Sequence, residues 1–152
     1  MCITIGQYIF EYVCKIEPEL NEDGLINETT PHYRYKNKKN LPLHNYGQGP
    51  FCKFRIPKGH KVGGVYAITV GKIVKYIGEC QDLTSRFNSG YGQISPRNCF
   101  KGGQETNCRI NSLILKAAKK DDVLSLWFME TEQYKIREQE LICREEPAWN
   151  MI

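Results

Sequence analysis

The sequence predicts a small α/β domain of the α+β type, in which helices flank an antiparallel sheet. Two runs rich in β-forming residues, GVYAITV and KIVKYIG, are separated by Gly71, which is typical of a hairpin. A third such run, VLSLWFME, occupies residues 123–130. Apolar residues at helical spacing lie on both sides of these strands, and this order of helices and strands favours a layered domain. A length of 152 residues fits about one such domain.

The N-terminal part is predicted to be one helix followed by a long irregular segment. Residues 20–62 are rich in Asn, Gly and Pro, which favours loops, with a short strand at FCKFRI (51–56). Long irregular segments in compact domains are often functional. We therefore divide the chain into an N-terminal helix with a basic arm (1–62) and a second domain (63–152). The helix is expected to end near Pro18, and its apolar face is Ile5, Tyr8, Ile9, Tyr12, Val13 and Ile16.

The chain after the hairpin is predicted to contain three helices and the third strand. Asp82 can cap a first helix through LTSRFN. Residues 90–107 hold four glycines and a proline and are expected to form a loop. Apolar residues at helical spacing mark a second helix at 110–117, and Thr131 can cap a final helix through QYKIREQELICRE.

Charge is distributed unevenly along the chain. The net charge is +4, but the first 30 residues carry six acidic residues and one basic residue. Residues 31–78 carry ten basic residues and no acidic one, and HYRYKNKKN (32–40) interleaves cations with tyrosines. This composition is typical of surfaces that bind nucleic acid, although a flexible basic loop is the alternative. We expect this arm to contact DNA through Arg34, Lys36, Lys38 and Lys39.

The remaining composition is that of an intracellular globular protein. The seven cysteines form no C-x-x-C pair, so we expect free thiols and no structural metal. No apolar run approaches the ~20 residues that span a bilayer, and no secretory signal precedes the first run of apolar residues. We therefore expect a cytoplasmic protein without membrane partners.

The hairpin carries one tyrosine on each strand, each beside a glycine. Side chains alternate across a strand, so Tyr66 and Tyr76 can share a face if the register allows it. Such a pair is commonly part of a core. Glycines within strands, however, often mark the close approach of a ligand or of another backbone. The hairpin alone leaves both interpretations open.

Five features of residues 63–150 resemble the GIY-YIG nuclease superfamily in order and spacing: GVY (64–66), YIG (76–78), Arg86, the segment from Glu138 to Ile142, and PAWN (147–150). The resemblance implies a three-stranded antiparallel sheet flanked by helices. It also implies hydrolysis of DNA phosphodiester bonds, with one Mg²⁺ or Mn²⁺ ion per site. Valine replaces the middle isoleucine of the first motif.

The resemblance also implies a role for each matching residue. Tyr66 is the general base or positions the attacking water, and Tyr76 lies beside it, with the glycines leaving space for a phosphate. Arg86 binds the scissile phosphate, which suits its planar fork of donors. Glu138 binds the metal, since Mg²⁺ takes few protein ligands and keeps several waters. Asn150 supports the site.

Three further expectations complete the functional hypothesis. Glu140 is the rival of Glu138 as metal ligand, although the spacing to Leu141 favours Glu138. We expect Tyr91, Arg97, Lys101 and Asn107 to line the DNA groove. The compact chain with its basic arm looks more like the restriction-endonuclease branch, or a stand-alone phage or mobile-element enzyme. A double-strand break then requires a homodimer or two encounters. The alternative function is a catalytically silent nucleic-acid-binding module of the same fold.

Overall fold

The computed structural model describes residues 1–151; Ile152, the last residue of the predicted second domain, lies outside the described residues. Five strands and three α-helices occur along the chain in the order β1, β2, β3, β4, α1, α2, β5, α3. Their bounds are β1 Cys2–Ile5, β2 Tyr8–Lys15, β3 Gly64–Val70, β4 Ile73–Cys80, α1 Leu83–Arg86, α2 Glu105–Lys119, β5 Leu124–Glu130 and α3 Tyr134–Glu145. The α+β class is therefore confirmed.

The predicted N-terminal helix is wrong, because this segment forms a β-hairpin. Strands β1 and β2 pair antiparallel from Ile5 opposite Tyr8, and Gly6 makes the turn at φ +61°, a conformation that glycine adopts without steric cost. The side chains follow the alternation of a strand, since Phe10 is 0 % exposed whereas Ile9 is 62 % exposed. The aromatic and β-branched content of YIFEYVCK favours a strand.

The sheet has five strands in the order β1-β2-β5-β3-β4, and all four pairings are antiparallel. The three-stranded sheet expected from the sequence is therefore wrong. Its three strands, β3, β4 and β5, are present, but the N-terminal hairpin extends them by pairing β2 with β5. The predicted hairpin around Gly71 and the strand at β5 are confirmed.

Each face of the sheet carries a hydrophobic core. On one face Phe10, Val65, Ala67 and Ile77 pack with Leu141 of α3. On the other face Tyr66, Ile68 and Tyr76 pack with residues of α1 and α2. The tyrosine pair of the hairpin thus belongs to the face that α1 and α2 cover.

The segment between β2 and β3 is irregular but anchored. The strand expected at FCKFRI is absent; its only bridge joins Phe51 to Thr29. Its alternate side chains, Phe54 and Ile56, are nevertheless buried. Two buried amides hold its backbone: Asn111 bonds Cys52, and Asn88 bonds Ile56. The long loop is therefore fastened to the helices that carry the candidate site.

The three helices predicted after the hairpin are confirmed, with shifted bounds. Thr131 does not cap the last of them, because α3 has Gln133 at its N-cap and no side chain caps it. The Asp82 carboxylate accepts a hydrogen bond from the Ser85 N–H at 3.0 Å and caps α1. A π-helix, Phe87–Tyr91, continues directly from α1. None of the helices within residues 1–151 combines the length and the apolar character needed to cross a membrane.

Candidate active site

The register of the β3–β4 hairpin brings Tyr66 and Tyr76 together. Tyr66 lies opposite Gly78 and Ile68 opposite Tyr76, and the two tyrosine rings lie 6.2 Å apart, centroid to centroid. A Cβ at Gly78 would overlap the Tyr66 ring. The expectation that glycine leaves space for a phosphate is therefore not met at this position, because the Tyr66 ring fills that space.

A third tyrosine joins this pair from the π-helix. The Tyr91 hydroxyl lies 2.6 Å from the Tyr66 hydroxyl and 3.4 Å from the Tyr76 hydroxyl. Tyr91 is 2 % exposed, so it lies within the cluster rather than on a groove surface. π-Helices are frequent at functional sites, and this one carries Tyr91. The three phenol groups form a cluster that we call the tyrosine triad (Tyr66, Tyr76 and Tyr91).

The phenol groups of Tyr66 and Tyr76 are held in the neutral form. Burial raises the pKa of Tyr66 well above its ordinary value, and the neighbouring phenols raise it further, against the lowering effect of Arg86. Burial also raises the pKa of Tyr76. Desolvation disfavours a phenolate. At neutral pH both phenols can therefore donate and accept hydrogen bonds, but they are not ionised and cannot readily act as a general base.

Arg86 lies at the end of α1, beside the triad. Its Nη2 donates to the Glu79 carbonyl at 3.2 Å, and its Cζ lies 6.0 Å from the centroid of the Tyr91 ring. The pKa of Arg86 is raised by the neighbouring phenols and by Glu79, which outweigh its burial. Its guanidinium therefore stays cationic in a position that is still open to solvent.

Glu138 faces the same end of β4 from α3. Its carboxyl is half-buried, and its pKa is raised first by burial and then by the Glu79 carboxylate. The Glu79 backbone and the charge of Arg86 act in the opposite direction. Glu79 thus accepts a hydrogen bond from Arg86 and acts on the pKa of Glu138, and it links the two residues that the sequence assigns to phosphate and metal.

Glu140, the rival metal ligand, has other partners. Its carboxylate accepts a hydrogen bond from Tyr8 at 3.1 Å and pairs with Arg137 at 3.0 Å. Two residues along a helix point to different faces, and Glu140 accordingly meets the N-terminal hairpin rather than the tyrosine triad.

Asn150 pairs with the exposed edge of β4. Its Oδ1 accepts from the Ile77 N–H at 3.0 Å, and its Nδ2 donates to the Ile77 carbonyl at 2.8 Å. The Trp149 N–H donates to the Lys75 carbonyl at 2.8 Å. The PAWN segment therefore satisfies backbone groups that an edge strand would leave open, and it holds the strand that carries Tyr76.

An open cavity of about 540 Å³ lies against Arg86. Its lining is almost entirely polar and includes Asn107 and Lys135. Asn107 is 9 % exposed. Of the other residues expected to contact DNA, Lys101 is exposed, as are Arg34, Lys36, Lys38 and Lys39 on the arm.

Arg97 is partly engaged within the protein. Its Nη1 donates to the carbonyl of Lys101 at 3.2 Å, and its Cζ lies 6.0 Å from the centroid of Tyr35. Arg97 therefore orders the loop between the π-helix and α2, while it remains half-buried.

Sequence reasoning missed three contributors to the site. The first is the Glu79 peptide, which follows YIG directly. The second is Arg109 of α2, whose charge lowers the pKa of Tyr76 and whose Nη1 donates to the Trp149 carbonyl at 2.6 Å. The third is Lys135 in the cavity. A backbone contact leaves no sequence signal, and single cations on helices are too common to be distinctive.

Metal-ligand chemistry at this site rests on one carboxylate. Within residues 1–151 no group of three or more His, Cys, Asp or Glu side chains could hold a metal ion. Mg²⁺ is commonly held by one or two carboxylates together with waters and substrate phosphates. The Glu138 carboxyl, whose charged form burial disfavours, fits that donor set because a bound cation would stabilise the ionised form.

Comparisons with known proteins identify the fold. No protein-family model matches the chain, and no curated protein sequence matches it. A solved structure, that of a glutamate-to-alanine mutant of EndoII from bacteriophage T4, is similar, with a TM-score of 0.58 and 17 % sequence identity. The similarity covers 93 % of this chain and 92 % of that one, so this chain shares its fold with the phage protein.

Proposed function

We propose that this protein is a metal-dependent endonuclease that hydrolyses phosphodiester bonds of DNA. The observation that carries the proposal is the meeting of Arg86, Glu138 and the tyrosine triad at one end of β4, where Arg86 donates to the Glu79 carbonyl and the charges of Glu79 and Arg86 act on the pKa of Glu138. The similar fold of EndoII, a phage endonuclease, supports the same activity. The alternative, a silent binding module, is not favoured.

Arg86 is the proposed phosphate ligand. Its guanidinium borders an open cavity of about 540 Å³, so a DNA backbone can reach it. Hydrolysis adds negative charge to the phosphate in the transition state, and a fixed cation in a partly buried position stabilises that charge more strongly than one in water. Arginine also presents parallel donors to two phosphate oxygens.

The triad is proposed to orient the attacking water. Because the pKa values of Tyr66 and Tyr76 are raised, their phenols remain protonated at neutral pH, which supports a positioning role for Tyr66 over that of general base. Tyr66 is 1 % exposed, so we infer that its hydroxyl acts through the bonded hydroxyl of Tyr91 and through Tyr76.

Glu138 is the proposed ligand of one Mg²⁺ or Mn²⁺ ion. When bound, the ion would supply positive charge beside the scissile phosphate and would favour an ionised water. Asn150 supports the site by holding the edge of β4. We also propose DNA contacts for the exposed basic arm and for Lys101, and a homodimer for cutting both strands, since one site cuts one strand.

The origin of the enzyme and its place in the cell are predictions from the sequence alone. We retain a restriction-like or stand-alone phage enzyme and a cytoplasmic location as hypotheses, together with the domain division at residue 62.

Nicking of supercoiled plasmid in Mg²⁺ tests the activity. We expect wild type to nick, and we expect Arg86→Ala and Glu138→Ala to lose about 100-fold or more of the rate, as for loss of one transition-state donor. Arg144→Ala and Glu140→Gln are matched controls on α3 and should retain most activity.

Two outcomes would contradict this assignment. Nicking that persists in Arg86→Ala and Glu138→Ala would exclude the proposed site. DNA binding without cleavage, in Mg²⁺ and Mn²⁺ and on several substrates, would favour the silent binding module.

A further inference from the structure

A second polar cavity, of about 510 Å³, lies next to the candidate active site. Its lining includes Ser89, which also lines the cavity at Arg86. Ser89 lies three residues after Arg86 and belongs to the π-helix that ends at Tyr91. A DNA strand held at Arg86 can therefore extend directly into this second cavity, which we call the arm cavity because its other wall is the segment between β2 and β3.

The walls of the arm cavity are fixed by buried contacts. On one wall the Asn88 amide bonds both backbone groups of Ile56, at 2.7 and 3.1 Å. On the other wall Thr29 exchanges two backbone hydrogen bonds of 2.8 Å with Phe51, and Phe51 is 1 % exposed. The cavity is therefore built from fastened backbone, although it lies in a region without strands.

The side chains that line the arm cavity are donors and acceptors with unused capacity. Asn27, Thr29 and Gln93 are exposed, and in the part of the chain that the structure describes none of their side chains makes a hydrogen bond within the protein. Arg34 and Lys53 also line the cavity, and no carboxylate does. The arm cavity thus presents uncharged amide and hydroxyl groups, two cations and no carboxylate.

The chemistry of this lining differs from that of a cavity lined by residues 16–28 and 118–124. That cavity, of about 830 Å³, is lined by apolar residues and by carboxylates such as Glu17, Asp121 and Asp122. Its four carboxylates outnumber its one lysine, whereas the arm cavity combines two cations with amides and has no carboxylate. Of the two cavities, only the arm cavity suits a nucleotide.

We propose that the arm cavity is a base-reading subsite that selects adenine next to the scissile phosphate. The inference rests on the proposed function, since it assumes that Arg86 holds a DNA phosphate. A primary amide offers a donor and an acceptor, the pair that matches N7 and N6 of adenine, and either Asn27 or Gln93 can make this contact. Arg34 and Lys53 contact the phosphates that flank this base.

Selection of bound DNA tests the subsite without any need for cleavage. Wild type is mixed in EDTA with duplexes of random sequence, and the bound fraction is sequenced. We expect adenine to be enriched at one fixed position. We expect Asn27→Ala and Gln93→Ala to reduce that enrichment by about fivefold or more, the effect of losing one amide–adenine pair.

Matched controls are Asn45→Ala and Gln48→Ala, because both amides are exposed and line neither cavity. These controls should retain the enrichment. Absence of adenine enrichment in wild type, or enrichment unchanged in the Asn27→Ala, Gln93→Ala double variant, would overturn the subsite. Plasmid nicking in Mg²⁺ is measured separately. Adenine selection without nicking would support the subsite and contradict the nuclease, whereas nicking without selection would do the reverse.

Discussion

At the scale of single residues, the Glu79 peptide organises the charges of the candidate site. Its carbonyl accepts a hydrogen bond from the Arg86 guanidinium, and its backbone lowers the pKa of Glu138. The Glu79 side chain itself raises the pKa of Glu138. One residue therefore holds Arg86, the proposed phosphate ligand. Its carboxylate also makes the ionised form of Glu138, the proposed metal ligand, less favourable until a cation binds.

This arrangement predicts that the Glu138 carboxylate lowers the stability of the protein at neutral pH, although the proposed function needs it. Its folded-state pKa lies above the ordinary value, so its contribution to stability is present below the unfolded pKa and is lost as the pH rises through the folded pKa. Glu138→Gln removes the charge but keeps the shape. We expect this variant to lose nicking activity and to have a higher Tm than wild type at about pH 7, where an ordinary glutamate is ionised.

Thermal unfolding in metal-free buffer between about pH 4 and about pH 7 checks this expectation, since the range spans the ordinary glutamate pKa. The gain in Tm should shrink toward acid. Glu140→Gln is the matched control, and it should show no gain because it loses the contacts to Tyr8 and Arg137. A Glu138→Gln variant less stable than wild type at neutral pH would show that the carboxylate is stabilised by its surroundings.

The sequence showed that the two hairpin tyrosines can meet, but it could not predict what surrounds them. Strand alternation allows Tyr66 and Tyr76 to share a face if the register is right, and the register of β3 with β4 brings them together. The third hydroxyl comes from Tyr91, on a π-helix, and the phase of a π-helix differs from the helical period used to read a sequence. The space beside Gly78 could not be assigned either, because its occupant, the Tyr66 ring, depends on the strand register.

At the scale of elements, the N-terminal hairpin shows that one segment can fit both the helical period and the alternation of a strand. Ile5, Tyr8 and Ile9 fit a helical stripe, and the same segment also alternates as a strand. The sequence contains one signal for the strand, the turn at Gly6, between residues of high β-propensity. By contrast, the helix capped by Asp82 was predictable because a cap is a local signal that a single side chain specifies.

Two neighbouring substitutions distinguish the hairpin from a helix. The helical stripe places Ile9 in the core, whereas the structure buries Phe10 at 0 % exposure and leaves Ile9 62 % exposed. We expect Phe10→Ala to lower the free energy of unfolding by about 3–5 kcal/mol. Ile9→Ala should lower it by less than about 1 kcal/mol, the span of strand propensities.

Urea unfolding followed by tryptophan fluorescence measures both changes, since Trp127 lies in the same core as Phe10. The two variants serve as controls for each other, because each removes one large apolar side chain from adjacent positions of β2. Equal losses, or a larger loss for Ile9→Ala, would contradict the burial pattern of this strand.

At the scale of the whole molecule, the basic and the acidic parts of the sequence lie at different places in the fold. The acid-free stretch from Pro31 to Gly78 includes the exposed arm, and the arm ends in segments fastened to the π-helix and α2 through Asn88 and Asn111. Two of the six acidic residues that precede the arm, Glu17 and Glu28, line the cavity of about 830 Å³ instead. The sequence predicted this asymmetry, because counting charges requires no knowledge of the fold.

The arm's part in DNA binding is open to measurement through salt dependence. The slope of log Kobs against log [salt] becomes shallower by about 0.9 for every DNA phosphate that the protein no longer neutralises. We expect the triple variant Lys36→Gln, Lys38→Gln, Lys39→Gln to bind DNA more weakly and to flatten the slope by as much as about 3 units. Fluorescence anisotropy with a labelled duplex in EDTA gives both quantities.

A second triple variant, Lys116→Gln, Lys120→Gln, Arg144→Gln, removes the same charge from exposed positions on α2, just after it and on α3. It lowers the long-range attraction equally but leaves every interaction between the arm and DNA in place. If binding depends on local contacts, only the arm variant should flatten the slope. Equal flattening in both variants would mean that net charge, and not the arm, governs DNA binding.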